Sequence, residues 1–254
     1  MPKNKKLIVG NWKMNPLTYK EAAELYLSVV EQSGKYREVG AVVCPPAIYL
    51  HGLLSLKKSR IALGAEDCVP GDVGPLTGGV SVGMLKELGV QYVIVGHSER
   101  RALGETDQLI NAKLKSAVSD KLRVILCVGE LVRDEAGEYF NFIKTKLVED
   151  LAKIKKDLLK NIIIAYEPIW AIGKDALRPA TPEDAIQVAI FIKKVVSEIF
   201  GRDVGIKIPI LYGGSVDPKN CGEYLRDGTI SGFLVGRASL SAEKFSEILR
   251  IANN

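Results

Sequence analysis

The segment 162–173 places one carboxylate at the end of an apolar run. The run 162–166 is continuous and largely β-branched, which predicts a strand buried inside the protein, and Glu167 follows it directly. Burial penalises the charged form of a carboxyl group, so an ionisable residue there is costly unless it has a task. Glu167 lies beneath the loop that begins at Pro168, where it could act as a general base that abstracts a proton. The commoner alternative for an isolated Glu is a surface salt bridge at the strand end.

Polar and glycine-rich residues follow other apolar runs. Lys13 comes after the first run and His97 after the fourth. The loops 213–215 and 236–239 follow the last two runs and lead into predicted helices, so their backbone N–H groups and helix dipoles suit a phosphate dianion. Each feature alone has an ordinary interpretation, namely a solvated lysine, a structural histidine and two turns. Of the two residues at 100–101, both arginines, one is expected in a structural ion pair, and the spacing does not say which.

Taken together, these residues supply a base, a hydrogen-bond donor, a positive charge and a phosphate cradle. This set fits abstraction of a proton next to a carbonyl group in a small phosphorylated substrate, with the oxyanion stabilised electrostatically. Neither a metal-ligand cluster nor an organic-cofactor motif accompanies them in the sequence. We therefore expect neither a metal nor a cofactor.

The elements that must position these residues recur along the chain. Eight apolar runs occur at 7–12, 39–44, 60–65, 91–95, 122–128, 161–166, 207–212 and 232–235. Segments of helical period separate them, which predicts a parallel sheet covered by helices. Eight units in about 250 residues fit a closed (β/α)8 TIM barrel with catalytic groups at the strands' C-terminal ends. A doubly wound open sheet is the alternative, but no Gly-x-Gly-x-x-Gly fingerprint follows an early strand.

Several helix starts are readable as well. Thr18 and Glu21 form a possible capping box before one helical pattern, and two more helices are expected after Thr106 and Thr181. No linker or composition break divides the chain. We expect a single barrel domain over residues 1–254.

Composition restricts the class of protein. The chain has 254 residues, 47% of them hydrophobic, and no apolar stretch long enough to span a bilayer or to serve as a signal peptide. The net charge is +5, and lysines such as Lys113 and Lys193 alternate with acids, a pattern typical of solvated helix faces. Cys44 and Cys127 lie in apolar runs and are expected to be buried, reduced thiols. We expect a cytoplasmic protein that binds neither membrane nor nucleic acid.

Longer motifs point to one family. They are Asn11 to Lys13, Gly96 to Arg101, Gly104 to Asp107, Cys127 to Glu130, Tyr166 to Gly173, Tyr212 to Val216 and Gly232 to Gly236. In this order, each on its expected strand end, they resemble the triosephosphate isomerase family across nearly the whole chain. The resemblance implies interconversion of dihydroxyacetone phosphate and glyceraldehyde 3-phosphate through an ene-diolate, without a cofactor.

The resemblance also implies roles for individual residues. Glu167 would move the proton, His97 would polarise the carbonyl, and Lys13, paired with Glu99, would offset the substrate's charge. Triosephosphate isomerase is itself the standard example of a neutral histidine electrophile and of closure of a loop over the substrate. The implied substrate-binding residues are Asn11, Trp12, Lys13, Gly173, Ser215, Gly236 and Arg237.

The sequence departs from the family pattern at three places. The lid residues 174–179 replace a shorter Thr-Gly-Lys-Thr, and Arg237 replaces the second glycine of the phosphate site. In the loop 74–79, Gly79 replaces a Glu that meets, across the dimer interface, an arginine matching Arg100. Thr77 keeps the residue that would reach toward the partner's active site. We therefore expect a homodimer with a weakened interface and a lid that still closes on phosphate.

Two other functions stay open at this point. A barrel isomerase acting on a larger phosphorylated sugar would explain Arg237 and the altered lid. A phosphate-binding protein without turnover would need only the glycine loops, and the joint presence of Lys13, His97 and Glu167 argues against it.

Overall fold

The barrel expected from the sequence is confirmed. The computed structural model describes residues 5–56, 59–172, 176 and 178–254. In it, eight parallel strands form one closed barrel in chain order, with β1 paired to both β2 and β8. The strands are Lys6–Asn11 (β1), Val39–Cys44 (β2), Ala62–Ala65 (β3), Tyr92–Val95 (β4), Arg123–Val128 (β5), Ile162–Tyr166 (β6), Ile210–Tyr212 (β7) and Gly232–Val235 (β8). The open doubly wound sheet is excluded because the strands close on themselves.

Helices cover the outside of the barrel. The α-helices are Tyr19–Ser33 (α1), Ala47–Leu54 (α2), Val82–Leu88 (α3), Ser98–Ala102 (α4), Asp107–Ser119 (α5), Glu138–Asp150 (α6), Pro182–Phe200 (α7), Arg202–Gly205 (α8), Cys221–Tyr224 (α9) and Ala242–Ala252 (α10). Short 3-10 helices span Lys156–Asn161, Ile169–Ala171 and Arg237–Leu240. None of these described helices is both long and apolar enough to cross a bilayer.

The predicted helix starts are confirmed by their caps. Thr18 and Glu21 form the expected capping box at α1. Thr181 forms a second box with Asp184 at α7, and the side chain of Thr106 caps α5. Each cap satisfies backbone N–H groups that a helix start leaves without partners.

One strand begins later than its apolar pattern suggested. The run 207–212 yields only the strand Ile210–Tyr212. The N–H groups of Lys207 and Ile208 bond back to the carbonyl of Val204, and Pro209 has no N–H to donate. The first residues of the run therefore finish the α8 turn, and the strand follows.

The core has two layers, because every strand is buried on both faces. Alternate strand residues, such as Ile163 and Ala165 on β6, form an apolar cluster inside the barrel. Their neighbours, such as Ile162 and Ile164, pack under the helices. The alternation of inward and outward residues also positions the site, because the next inward position after Ala165 is Glu167, directly after the end of β6.

The expected state of the cysteines is also confirmed. Cys44 and Cys127 lie in the inner cluster and are fully buried. Both are free thiols, and so are the buried Cys68 and Cys221.

Candidate active site

Glu167 is held at the mouth of the barrel by backbone packing. Its residue exposure is only 3%. Its N–H donates to the carbonyl of Val128 on β5, at 2.9 Å. A Cβ added to Gly129 would lie 1.6 Å from the carbonyl oxygen of Glu167, so only glycine fits beside it. Gly213 is the other neighbour without a side chain, since its added Cβ would come 3.0 Å from the Cγ of Glu167.

Both carboxylate oxygens of Glu167 have donors. Oε1 lies 3.0 Å from Nε2 of His97, and Oε2 accepts the backbone N–H of Ser98 at 2.9 Å. His97 reaches this position after a left-handed turn at Gly96, whose φ is +71°. Nδ1 of His97 in turn accepts the N–H of Glu99 at 3.2 Å. A ring that accepts at Nδ1 carries its proton on Nε2, which makes His97 a donor toward the mouth of the barrel.

Charge couples the two side chains. Burial acts to lower the pKa of His97, but the attraction and hydrogen bond of Glu167 outweigh burial, and the pKa lies above its usual value. Burial likewise acts to raise the pKa of Glu167, while His97 and the N–H of Ser98 leave that pKa lowered. The resting pair therefore keeps Glu167 ionised at neutral pH.

Lys13 is held in a strained conformation next to this pair. Its φ is +55°, in the left-handed region that costs a non-glycine residue about 1–2 kcal/mol. The side chain of Asn11 accepts the N–H of Lys13 at 3.1 Å, and the Lys13 ammonium pairs with Glu99, as expected from the family resemblance. Strain of this kind clusters at functional sites, where the surroundings enforce it.

A cavity of about 640 Å³ opens over these residues. That volume is in the usual range for a small-molecule site. The predicted site residues that line it are Asn11, Lys13, His97, Glu167, Ser215, Gly236 and Arg237. Gly173 lies outside the described residues.

Trp12 is placed differently from the other predicted site residues. It is 1% exposed and belongs to the core between barrel and helices. Its backbone N–H donates to the carbonyl of Cys44 at 3.0 Å. Within the described part of the chain it is absent from the cavity lining. The structure therefore gives Trp12 a packing position next to Asn11 and Lys13.

The side of the cavity lined by Ser215 and Arg237 includes residues that the sequence did not single out. Asn220 donates to the carbonyl of Ser215 at 3.0 Å and so fixes the loop after β7. Lys244, near the start of α10, lines the cavity together with Arg237 and adds a second cation. In the sequence, Lys244 looks like any lysine of an amphipathic helix, so no local signal marks it.

Glu130 is a second buried strand-end carboxylate, for which the sequence analysis gave no role. It is 1% exposed, and its Oε1 accepts the hydroxyl of Tyr166 at 2.8 Å and the indole N–H of Trp170 at 2.7 Å. Burial raises its pKa despite these donors. Glu130 therefore ties the segment after β6 to β5. The signal that singled out Glu167, a charge after an apolar run, also applied to Glu130.

Both arginines of the 100–101 pair are in ion pairs. Arg100 contacts Glu105 at 2.6 Å and Asp67 at 3.0 Å. Arg101 lies 2.6 Å from an oxygen of Asp107 and 2.6 Å from one of Asp150. We expected one of these two arginines to form a structural ion pair, and both do.

The expectation that Lys113 lies on a solvated helix face is wrong. Its residue exposure is 1%, and its ammonium lies 2.6 Å from Asp67 and 2.6 Å from Glu105. Asp67 comes from the loop after β3, and Glu105 from the loop between α4 and α5. Tertiary placement buries a residue whose local pattern is that of a surface lysine.

At the C-terminal end of the lid, the side chain of Arg178 makes two contacts. Its Nη1 lies 2.6 Å from Asp184, and its guanidinium stacks 4.7 Å from the ring centroid of Trp170. The lid residues Lys174, Asp175 and Leu177 lie outside the described residues. Behind the lid, the ring of Tyr212 stacks on that of Tyr224. The hydroxyl of Tyr224 donates to the carbonyl of Ala180 at 2.7 Å.

A closed barrel with a carboxylate, a histidine and a lysine at its mouth defines a (β/α)8-barrel isomerase. Comparison with known proteins agrees with that class. The pattern that describes triosephosphate isomerase matches residues 6–252, and the chain belongs to the triosephosphate isomerase family.

Relatives in three bacteria are similar over nearly the full length of both chains. The triosephosphate isomerase of Alkaliphilus metalliredigens is 41% identical over 248 residues, which are 96% of this chain and 98% of the relative. The triosephosphate isomerase of Carboxydothermus hydrogenoformans is 42% identical, with 97% and 98% covered. That of Aquifex aeolicus is 43% identical, with 96% and 98% covered.

Proposed function

We propose that this chain interconverts dihydroxyacetone phosphate and glyceraldehyde 3-phosphate, the reaction of its family, with Glu167 as the base. The observation that carries the assignment of roles is the convergence of Glu167, His97 and Lys13 at one cavity. The carboxylate oxygen of Glu167 and Nε2 of His97 lie 3.0 Å apart, so one small substrate can contact both. Family membership supports the reaction, and the geometry supports the roles.

The proton transfer begins when substrate separates the resting pair. A carbonyl oxygen that accepts the Nε2–H of His97 takes that donor away from Glu167. Glu167 then loses the interaction that lowers its pKa, while burial persists and raises it, so the carboxylate becomes a stronger base. It takes a proton from the carbon next to the carbonyl, which leaves an ene-diolate. The hydroxyl proton of that carbon moves to the former carbonyl oxygen, a transfer that His97 is placed to mediate, and Glu167 returns its proton to the neighbouring carbon.

The rest of the cavity supports that step. Lys13 places a positive charge near the developing oxyanion, where a fixed charge lowers the barrier. Asn11 holds the backbone of Lys13, and the buried Trp12 between them anchors this segment in the core. Ser215, Gly236 and the backbone of Arg237 would bind the phosphate, together with the N–H of Gly173.

A larger phosphorylated sugar is the second candidate substrate. It is favoured by the two cations, Arg237 and Lys244, that line the phosphate side of a cavity of about 640 Å³. A coupled assay with glyceraldehyde 3-phosphate, run in parallel with a pentose phosphate, tests the choice. We expect turnover of the triose phosphate alone. Turnover of the pentose phosphate alone would favour the larger substrate, and turnover of neither would favour a binding protein.

We also propose a homodimer. Large apolar side chains on the loops after β1 and β3 are exposed, among them Met14 at 94% and Val73 at 89%. Exposed apolar side chains that cluster mark contact surfaces on soluble proteins. The substitution at Gly79 was expected to leave Arg100 without a partner, but Arg100 is already paired with Glu105 and Asp67. The cost of an unpaired arginine therefore does not weaken the interface.

The remaining proposals are a single domain over residues 1–254 and a cytoplasmic location. One barrel contains every described strand. The four buried cysteines are free thiols, which suits a reducing compartment.

A further inference from the structure

A second cavity, of about 300 Å³, lies at the opposite end of the barrel from the active site. The first residues of four strands line it: Val39 of β2, Ala62 of β3, Tyr92 of β4 and Arg123 of β5. This end of a barrel ordinarily contributes to stability, whereas chemistry is placed at the other end. We call it the basal cavity.

The basal cavity is lined by positive charge. Lys5, Arg37, Arg60 and Arg123 line it, and in the described part of the chain no carboxylate does. Lys5 donates to the carbonyl of Arg37 at 2.5 Å and lies 3.4 Å from the exposed Glu38.

The three arginines have capacity for further acceptors. Nη1 of Arg123 donates to the hydroxyl of Tyr92 at 2.8 Å. Across residues 5–56, 59–172, 176 and 178–254, no carboxylate lies within ion-pair distance of Arg37, Arg60 or Arg123. Most of their N–H donors therefore remain for solvent or a ligand. Arginine forks match phosphate and carboxylate oxygens in a bidentate geometry.

A buried hydroxyl provides an independent sign of a ligand. Ser33, the last residue of α1, lines the basal cavity and is only 2% exposed. Its Oγ has no hydrogen-bond partner among the described residues. Buried polar groups in folded proteins are almost always satisfied, so an unsatisfied hydroxyl on a residue that lines a cationic cavity calls for a partner. A phosphoryl oxygen would accept its proton.

Apolar groups complete the lining. Tyr36, Ile61 and Leu249 line the same cavity as the arginines. A bare inorganic anion would leave these surfaces without contact, whereas a carbon skeleton would bury them. The volume of about 300 Å³ is at the small end of ligand sites, which fits a compact metabolite.

We propose that the basal cavity binds a small phosphorylated metabolite, with the phosphate held by Arg37, Arg60 and Arg123 and by the hydroxyl of Ser33. The chain then has two anion sites, one at each end of the barrel. Because the basal residues are remote from Glu167, binding there is separable from turnover.

Calorimetric titration of the full chain with 3-phosphoglycerate tests the proposal, because the probe carries a phosphate, a carboxylate and a short carbon skeleton. We expect two binding events per chain. The R37S/R60S variant should weaken one event by at least about tenfold, the usual effect of losing charge-assisted hydrogen bonds, and leave the other unchanged. S33A should weaken the same event without changing the net charge, and should not destabilise the unliganded protein. A crystal grown with the probe should place a phosphate in the basal cavity.

The matched control is R202S/R226S, which removes the same charge from exposed positions outside both cavities. It should retain both events. The isomerase kcat and KM of R37S/R60S should equal those of the wild type, and the basal event should be measurable whatever the catalytic activity. A single event in the wild type, or two unchanged events in R37S/R60S, would overturn the proposal. Equal affinity for inorganic phosphate at the basal site would overturn its assignment to an organic phosphate.

Discussion

The backbone N–H of Ser98 donates to Oε2 of Glu167 over 2.9 Å. Ser98 is the first residue of α4, so the carboxylate of Glu167 rests at a helix start, where free N–H groups favour an anion. In this position, both oxygens of the proposed base are already occupied. For catalysis, the Glu167 carboxylate must leave contacts that stabilise it. We expect the substrate to cause this by accepting the hydrogen bond of His97 Nε2.

Replacing Glu167 with Ala should nearly abolish turnover while a non-reactive phosphate analogue still binds. A positioned base typically contributes about 10²–10⁴-fold, and the phosphate contacts come from other loops. The coupled assay measures kcat, and calorimetry measures analogue binding. Glu198→Ala, at an exposed pair with Lys144, is the control. A loss of less than about tenfold would remove Glu167 from the role of base.

His97→Gln should cause a large fall in kcat in a protein that remains folded. The amide can still donate a hydrogen bond, but it does not reproduce a ring held by the N–H of Glu99 on one side and aimed at substrate on the other. The change is measured as kcat, with circular dichroism to confirm folding. His51→Gln on the exposed surface of α2 is the matched control. A rate near that of the wild type would exclude His97 from the mechanism.

The same variant should change the pH dependence of kcat/KM, which reports the free enzyme. Glu167 must be ionised, so activity is lost as pH falls through its pKa. His97 lowers that pKa in the resting pair, and its replacement removes the effect. The acid limb of the profile should therefore move to higher pH in His97→Gln. An unchanged acid limb would show that the pair does not set the ionisation of the base.

Lys113→Ala should destabilise the protein by about 3 kcal/mol, because Asp67 and Glu105 would then share Arg100 as the one cation that contacts them among the described residues. The Lys113 side chain is 2% exposed and that of Glu105 is 6% exposed. Lys144→Ala, at an ion pair whose members are 49% and 44% exposed, should cost only about 0–1 kcal/mol. Urea unfolding of both variants gives the comparison. Equal costs would mean that burial of the Lys113 cluster adds nothing.

Val73→Asp should shift the protein from dimer to monomer and lower its activity. Val73 is 89% exposed in the loop after β3, near Thr77, which we expect to reach the partner's Asn11 and Lys13. Burying a new carboxylate in an apolar interface is unfavourable. Val148→Asp on α6, where the side chain is 46% exposed, is the control. Sedimentation of the wild type as a fully active monomer at all concentrations would contradict the dimer.

The barrel was predictable because its strands are buried on both faces and therefore appear as continuous apolar runs. Glu167 was predictable because a charge directly after such a run is unusual, and the period of two then directs it inward after Ile163 and Ala165. Lys113 was mistaken for a surface residue because the fold, not the local pattern, brings its partners to it: Asp67 is 46 residues away, and Glu105 lies in the loop before α5. The basal cavity was missed for the same reason, since its cations come from separate strand starts.

The lid gives the last prediction. We expect it to close on phosphate ligands, with the N–H of Gly173 reaching the phosphate, although its sequence differs from the family pattern. Both of its ends are anchored: Glu130 accepts the indole N–H of Trp170 at 2.7 Å, and Asp184 holds Arg178 at 2.6 Å.

Pro179 also restricts the C-terminal end of the lid, since it fixes its own φ and biases Arg178 toward extended conformations. Fewer open conformers mean that less entropy is lost on closing, while two extra residues add little loop-closure cost. Arg178→Ala releases this end of the lid from Asp184 and Trp170, so more entropy is lost on closing. It should therefore weaken binding of a phosphate-bearing transition-state analogue by a few-fold, and Arg202→Ala should not. Crystal structures with and without the analogue decide the main point: if Gly173 stays far from the bound phosphate, the lid has lost its family role.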